Sequence, residues 1–261
     1  MVRSTRPEDY QDLSCPIAVM AKSFSAGFET PLHHHARDQL IYAQSGVMRV
    51  HSARETWIVP PKRAVYIVAG SVHKVTMRGN VEMRTLYIDK NCSPDLPKSI
   101  TALEVNTLLR ALILNLLNEP LDYGKDSRGG DMVRLIISEI TRAKKLALGI
   151  SMPEDIRLRA LCDALLLQPE RRETLDEWSL IVGASVRTLS RLFTSQTGMG
   201  FSSWRQRVRF HNAMEALANG EPIGKVARKN GYSSPSAFTH SFRKLFGVTP
   251  SSLGSRSNPF I

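Results

Sequence analysis

The stretch SLIVGASVRTLSRLFTSQTG, residues 179–198, returns in altered form as ARKNGYSSPSAFTHSFRKLFG, residues 227–247. Each copy has a small residue four before a glycine (Ser179 and Gly183, Ala227 and Gly231) and a serine two after it (Ser185, Ser233). Each then has a phenylalanine late in the run (Phe193, Phe242) and a glycine five beyond (Gly198, Gly247), with one extra residue in the second turn. A small residue lets a second helix cross close to the first, glycine permits the sharp turn, and serine caps the helix that follows. That is the pattern of a helix-turn-helix, whose second helix can enter the major groove of DNA. One such match is a weak signal. Two in register, joined by the amphipathic run 201–219 with Trp204, Val208 and Ala213, make a specific one.

Residues from about 155 to 255 resemble the AraC/XylS family of bacterial transcription regulators, most closely in RTLSRLF (187–193) and IGKVARKNGYSSPSAFTHSFRKLFGVTPSSL (223–253). The resemblance implies an all-α double helix-turn-helix domain over 151–255, with units at about 175–193 and 223–244 bridged by a long helix. Ser179 stands where the family usually has alanine, and Tyr232 follows a glycine that often precedes phenylalanine. Helical spacing and the resemblance both select Arg187, Ser190 and Arg191 in the first reading helix, and Ser236, Thr239 and His240 in the second. Arginine can bind guanine O6 and N7 with two hydrogen bonds, so Arg191 and Arg187 are the leading base readers. Arg243 and Lys244 are placed on phosphate, which positions without specifying. The competing reading of all of these is a merely solvated helix face.

The other half contains LHHHARDQLIYAQSG, residues 32–46. His33 and His35 lie on one face of an extended chain, while His34 points away. Gln39 and Gly46 follow, and GSVH (70–73) supplies Gly70 and His73. These segments resemble the two cupin motifs, in which two histidines, a carboxylate and a third histidine converge on a metal inside a small β-barrel. Gln39 stands where cupin enzymes usually have glutamate, and Val68 where the second motif usually has proline. A site of three histidines and one glutamine would hold Zn²⁺, Fe²⁺ or Ni²⁺ less firmly than a carboxylate site. The alternative is a pocket in which the imidazoles only hydrogen-bond an effector. Tyr42, Trp57 and Tyr66 are candidate aromatic walls of that pocket, or plain core packing.

Around these segments the chain organises itself. Short apolar or alternating runs (LIYAQ, VMRVHS, TWIVPP, AVYIVAG, HKVTM, VEMRTLYI) are punctuated by Gly46, Pro60, Pro61, Gly70 and Gly79-Asn80, as in a small barrel or sandwich. Residues 101–118 and 131–148 have helical character, with Gly149 as the C-cap of the second. The expected architecture has two domains. An arm (1–19) precedes a cupin-like β-barrel (20–92), then a helical cover and dimerisation segment (93–150), then the DNA-binding domain (151–255). Resemblance to arm-bearing family members places the segment before Leu13 over the barrel mouth.

With 35 Lys and Arg against 24 Asp and Glu, the net charge of +11 favours an anionic partner, nucleic acid first. Cys15, Cys92 and Cys162 have no metal-type spacing and suit a reduced, cytoplasmic protein. The N-terminus lacks the apolar core of a signal peptide, and no run of about twenty apolar residues is present to span a membrane. The reading reached is a sequence-specific, double-stranded-DNA-binding homodimer. It responds to a small-molecule effector or a divalent metal, and contacts RNA polymerase if it activates. Family resemblance makes a nearby transporter gene the expected target. The competing reading is a cupin metalloenzyme with a DNA-binding appendage. It is disfavoured because no general base is evident in the barrel segment and Gln39 cannot serve as one.

Overall fold

The computed structural model describes residues 3–146, 148–246 and 249–251. The chain divides into two compact units. One contains the chain up to His51 and Val59–Leu148, and the other Ser52–Ile58 and the chain from Gly149 onward.

The first unit is built on strands β1 (Ile17–Phe24), β2 (Asp38–His51), β4 (Arg63–Ile67), β5 (Lys74–Ile88), β6 (Thr101–Glu104) and β7 (Lys145–Leu146), in the order β1-β5-β2-β4-β6-β7. The sequence led us to expect breaks at Gly46 and at Gly79-Asn80. Instead β2 and β5 run through both places as long antiparallel partners, with register shifts between Ala43 and Val47. Gly46 and Gly79 have φ of +79° and +87°, which lets an extended strand bulge and continue. Strand β1, which the apolar runs did not single out, pairs with β5 from Ile17↔Ile88 to Phe24↔Val81.

Alternate residues of these strands, among them Val19, Leu40, Tyr42, Tyr66, Leu86 and Ile88, face helices α1 (Thr107–Leu116) and α2 (Arg128–Arg142). The helices answer with Leu109, Leu112, Ile113, Leu116, Met132, Val133, Ile136 and Ile140. Each such side chain contributes about 1.5–3 kcal/mol on burial. Both helices are shorter than their composition led us to expect. Residues 101–104 pair with β4 from Tyr66↔Thr101 to Arg63↔Glu104, and Asn106 then caps α1 by accepting from Leu109 N at 2.8 Å. The second helix ends at Arg142, so Gly149 is no C-cap. It opens strand β8 (Gly149–Ser151), where a Cβ would approach Trp57 Nε1 to 3.0 Å.

In the second unit, β8 pairs with strand β3 (Glu55–Val59) through Glu55↔Ser151, Thr56↔Ile150 and Trp57↔Gly149. Six helices follow among the described residues: α3 (Ile156–Leu167), α4 (Leu175–Val182), α5 (Val186–Thr197), α6 (Phe201–Ala218), α7 (Ile223–Lys229) and α8 (Pro235–Phe246). Helix α6 serves two cores. Trp204 and Val208 join Leu158, Leu161, Trp178, Leu189 and Phe193. Phe210, further along, meets Tyr232, Phe238, Phe242 and Phe246 at ring-centroid distances of 5.7 to 5.9 Å. Trp204 Nε1 donates to Ser151 O at 2.8 Å, tying α6 to the β8 ribbon.

Both turns have the expected form, with one adjustment. Gly183 ends α4 at φ +66°, and Ser185 caps α5 through Thr188 N at 3.2 Å. In the second copy Gly231 has φ +80°, but the cap is Ser234 rather than Ser233. Ser234 Oγ accepts from Ala237 N at 3.2 Å. The extra residue of the second turn displaces the cap by one, so Ser234 stands eight before Phe242 as Ser185 stands eight before Phe193. Gly247 and residues 252–255, which the sequence assigned to this half, lie outside the described residues. The three cysteines are free, with Cys15 and Cys162 buried.

The substitution Gly46→Ala is expected to lower the stability of the first unit by more than about 1 kcal/mol. Its Cβ would sit at positive φ and collide with the Asn80 carbonyl. Urea unfolding followed by circular dichroism measures it.

Candidate functional site

Three histidines converge in the first unit, and backbone pairing explains why. His33 N donates to His73 O at 3.0 Å and His73 N to His33 O at 2.9 Å, an isolated antiparallel bridge that sets the two residues face to face. Gly70 N donates to His35 O at 2.9 Å and fixes the same loop two residues on. The rings follow, with centroids 4.4 Å apart for His33 and His73, 4.8 Å for His33 and His35, and 5.6 Å for His35 and His73. One ligand nitrogen from each lies within 4.8 Å of the others. His34 is exposed.

The tautomers are set from behind. His33 Nδ1 lies 2.8 Å from Pro31 O and His73 Nδ1 2.9 Å from Ser71 O, so each Nδ1–H donates to a carbonyl and Nε2 is the nitrogen placed to take a ligand. The Nε2 atoms of His35 and His73 and the Oε1 of Gln39 are buried without a hydrogen-bond partner. Burial, seconded by the other imidazoles, pulls the pKa of His35 down to about 3; burial pulls His73 down to about 4. Neutral imidazoles with open lone pairs beside an open amide oxygen form a donor set that suits a divalent transition metal.

The aromatic neighbours differ from expectation. Tyr42 and Tyr66 face α1 and α2, not the histidines, because they share the strand face of Leu40 and Leu86. The Tyr66 hydroxyl donates to Asp38 Oδ2 at 2.6 Å, and burial together with that carboxylate pushes its pKa up. Trp57 lies in the second unit, packed against Gly149. The tyrosine beside the histidines is Tyr87, whose ring centroid is 5.2 Å from that of His35 and which pairs in register with Gln39. The alternation of VEMRTLYI could have shown it, since Tyr87 lies one residue from Leu86 and so on the opposite face.

The arm is in place over this site. Tyr10, in a short 3₁₀ turn (Pro7–Tyr10), is 1% exposed and stacks on Tyr87 at 5.5 Å. Gln11 Oε1 accepts from Ala36 N at 3.1 Å, and Arg37 donates to Cys15 O at 2.9 Å and Gln11 O at 3.1 Å. The polar arm is therefore latched to the segment that carries the histidines. It stops short of residue 17, where β1 begins.

In the second unit the predicted DNA contacts lie on two equivalent helices. Arg187, Ser190 and Arg191 are exposed on α5, while Leu189, Leu192 and Phe193 are buried. On α8, Ser236, His240, Arg243 and Lys244 are exposed and Thr239 is half-buried. Other arginines of this unit are committed to backbone. Arg205 donates to Glu173 O at 2.8 Å, and Arg209 to Pro169 O at 3.0 Å and Arg171 O at 2.8 Å.

The helix-turn-helix domain family matches residues 178–256, and the cupin domain family matches residues 23–89. The HTH-type transcriptional regulator NimR of Escherichia coli K12 is 28% identical over 221 residues, 85% of this chain and 81% of that one. The HTH-type transcriptional regulator RipA of Corynebacterium glutamicum is 32% identical over 131 residues, half of this chain but only 38% of RipA. Among solved structures, ToxT of Vibrio cholerae covers 91% of this chain and 96% of its own at 12% identity, with a TM-score of 0.38. The chain is a DNA-binding transcriptional regulator with a cupin domain ahead of its helix-turn-helix domain, and it is similar to AraC-type regulators. No helix among the described residues is long and apolar enough to cross a membrane.

The buried histidines make stability depend on pH. Their folded pKa values lie below the ordinary value of 6.5, so acid protonates the unfolded chain first. Their contribution is intact above pH 6.5 and is lost as pH falls from there towards 4 and 3. The metal-free protein is expected to show a falling urea midpoint across this window, and His73→Ala a shallower fall than wild type.

Proposed function

We propose that this regulator reads DNA through α5 and α8 and that a divalent metal held by His33, His35, His73 and Gln39 takes part in its response. The observation that supports the metal most directly is the cluster of His33, His35 and His73, with Nδ1 of His33 and His73 tied to carbonyls and Nε2 of His35 and His73 buried without a partner. A bound metal would supply an anchor for a small-molecule effector. The chain's own residues would do the rest. The three imidazoles orient the effector, Tyr87 flanks it, and Tyr10 excludes water by covering Tyr87.

The arm then offers a route from occupancy to response, because a change at Tyr87 acts on Tyr10 and, through Gln11, on the segment of Ala36 and Arg37 that is hydrogen-bonded to the arm. Dimerisation through α1 and α2 fits the exposed Leu108 and Leu135 on those helices. Regulation rather than turnover is the function proposed for the cupin domain, since Gln39 cannot act as a base and burial keeps the Tyr87 hydroxyl protonated. Cytoplasmic action, RNA polymerase contact on activation, and control of a nearby transporter gene complete the proposal.

In α5, Arg191 and Arg187 are proposed to read bases, with Ser190 beside them. Ser236, Thr239 and His240 are their counterparts in α8, and Arg243 and Lys244 are placed on phosphate. The substitution Arg191→Ala is expected to relax preference at one base position by about 1–3 kcal/mol. Binding assays on a set of single-base operator variants measure it, and uniform weakening across the set would make Arg191 a phosphate contact. For the metal, mass spectrometry of untagged protein purified without chelator is expected to find about one metal per chain, lost in a His33→Ala/His35→Ala double variant.

A further inference from the structure

We infer that the histidine site is a receptor for a small organic carboxylate, and that Gln39 is the residue that creates the need for one. This rests on the metal reading above and goes beyond it by naming the class of effector.

The argument is one of charge. An imidazole that holds a metal through a ring nitrogen is neutral, and the Gln39 amide is neutral too. Among the described residues no aspartate, glutamate or cysteine joins the three histidines. Asp38, next to Gln39 in the chain, is committed elsewhere. Its Oδ2 accepts from the Tyr66 hydroxyl at 2.6 Å and its Oδ1 from Ala69 N at 2.7 Å. A divalent ion on these donors would bring two positive charges into a site where His35, His73, Gln39 and Tyr87 are at most 8% exposed. Buried charge without a counter-charge is unfavourable, so an anion beside the metal, hydroxide or one carried by the effector, is favoured.

The surroundings are arranged for an anion. Thr85, 0% exposed, has its Oγ1 buried without a partner. It lies two residues from Tyr87 on the same strand face, the two residues pairing with Ile41 and Gln39 of β2. Two hydroxyl donors on the face that carries the metal's amide ligand would favour an acceptor with spare lone pairs. A carboxylate provides that: one oxygen for the metal and a second for a hydroxyl. The cover of Tyr10 over Tyr87 selects a small one.

The test uses full-length protein loaded with Co²⁺, whose visible spectrum reports its ligands, and azide as the anionic probe. Wild type is expected to take up Co²⁺ and to shift its spectrum on azide addition, with oxalate displacing the azide. Gln39→Glu, which places a negative charge in the site, is expected to keep Co²⁺ and to bind azide at least about tenfold more weakly. Thr85→Val is expected to keep Co²⁺ and azide but to weaken oxalate. Equal azide affinity in wild type and Gln39→Glu, or no azide shift in Co²⁺-loaded wild type, would overturn the inference. Oxalate that fails to displace azide would overturn the carboxylate assignment. Absence of Co²⁺ uptake by wild type would overturn the metal reading itself, and with it this inference. Should Gln39→Glu not fold by circular dichroism, the wild-type and Thr85→Val titrations still decide.

Discussion

The two backbone hydrogen bonds between His33 and His73, at 3.0 and 2.9 Å, are the constraint on which the candidate site depends. They join a loop before β2 to the loop that enters β5, and the same segment meets β5 again at Glu29↔Thr76. A slip of one residue at this bridge would turn one imidazole to the opposite face. The carbonyls of Pro31 and Ser71, each two residues before the histidine it receives, then set the tautomers. Two short loops thus do for this site what a rigid strand pair does elsewhere. The long β2–β5 pairing beneath them supplies the stiffness, and it places Gln39 opposite Tyr87.

The second unit solves a different problem, which is to hold two similar reading helices on one frame. Helix α6 does this by changing what it buries along its length. Trp204 and Val208 serve the core of the first helix-turn-helix, and Phe210 begins the aromatic cluster of the second. Arginines 205 and 209 extend from the same helix to the carbonyls of residues 169–173 and hold the entry to α4. Those two positive charges act in folding, whereas Arg187, Arg191, Arg243 and Lys244 leave theirs in solvent. A net charge of +11 therefore overstates the charge the molecule can offer to DNA.

The repeat at 179–198 and 227–247 was legible because helix-turn-helix chemistry is local. A small residue, a glycine at positive φ and a capping hydroxyl all act within about ten residues. The misplacement of the second cap, Ser233 for Ser234, shows the limit even there. One inserted residue moves the hydroxyl, and only the hydrogen bond to Ala237 N shows where it went. The histidines were legible as a set for a similar reason, since HHHARDQ and GSVH each carry their own spacing. Their meeting was foreseen only through resemblance, because the bridge between His33 and His73 spans forty residues of chain. The helix ends at Thr107 and Arg142 were not legible. Residues 101–104 have helical composition, and what makes them a strand is the open edge of β4.

By itself the sequence determined the class of protein: two helix-turn-helix units, a barrel ahead of them, and three histidines with a glutamine at cupin spacing. The tertiary structure decided which aromatic residues accompany the histidines. Tyr42, Trp57 and Tyr66 read from the sequence as pocket walls or as plain core, and two of them lie under the helices while one joins the other unit. Tyr87 and Tyr10 stand at the site instead. The physical reason is that a strand offers each residue to one face or the other. Which face meets the helical cover and which meets the histidines is settled by packing between distant segments, and no local pattern carries that information.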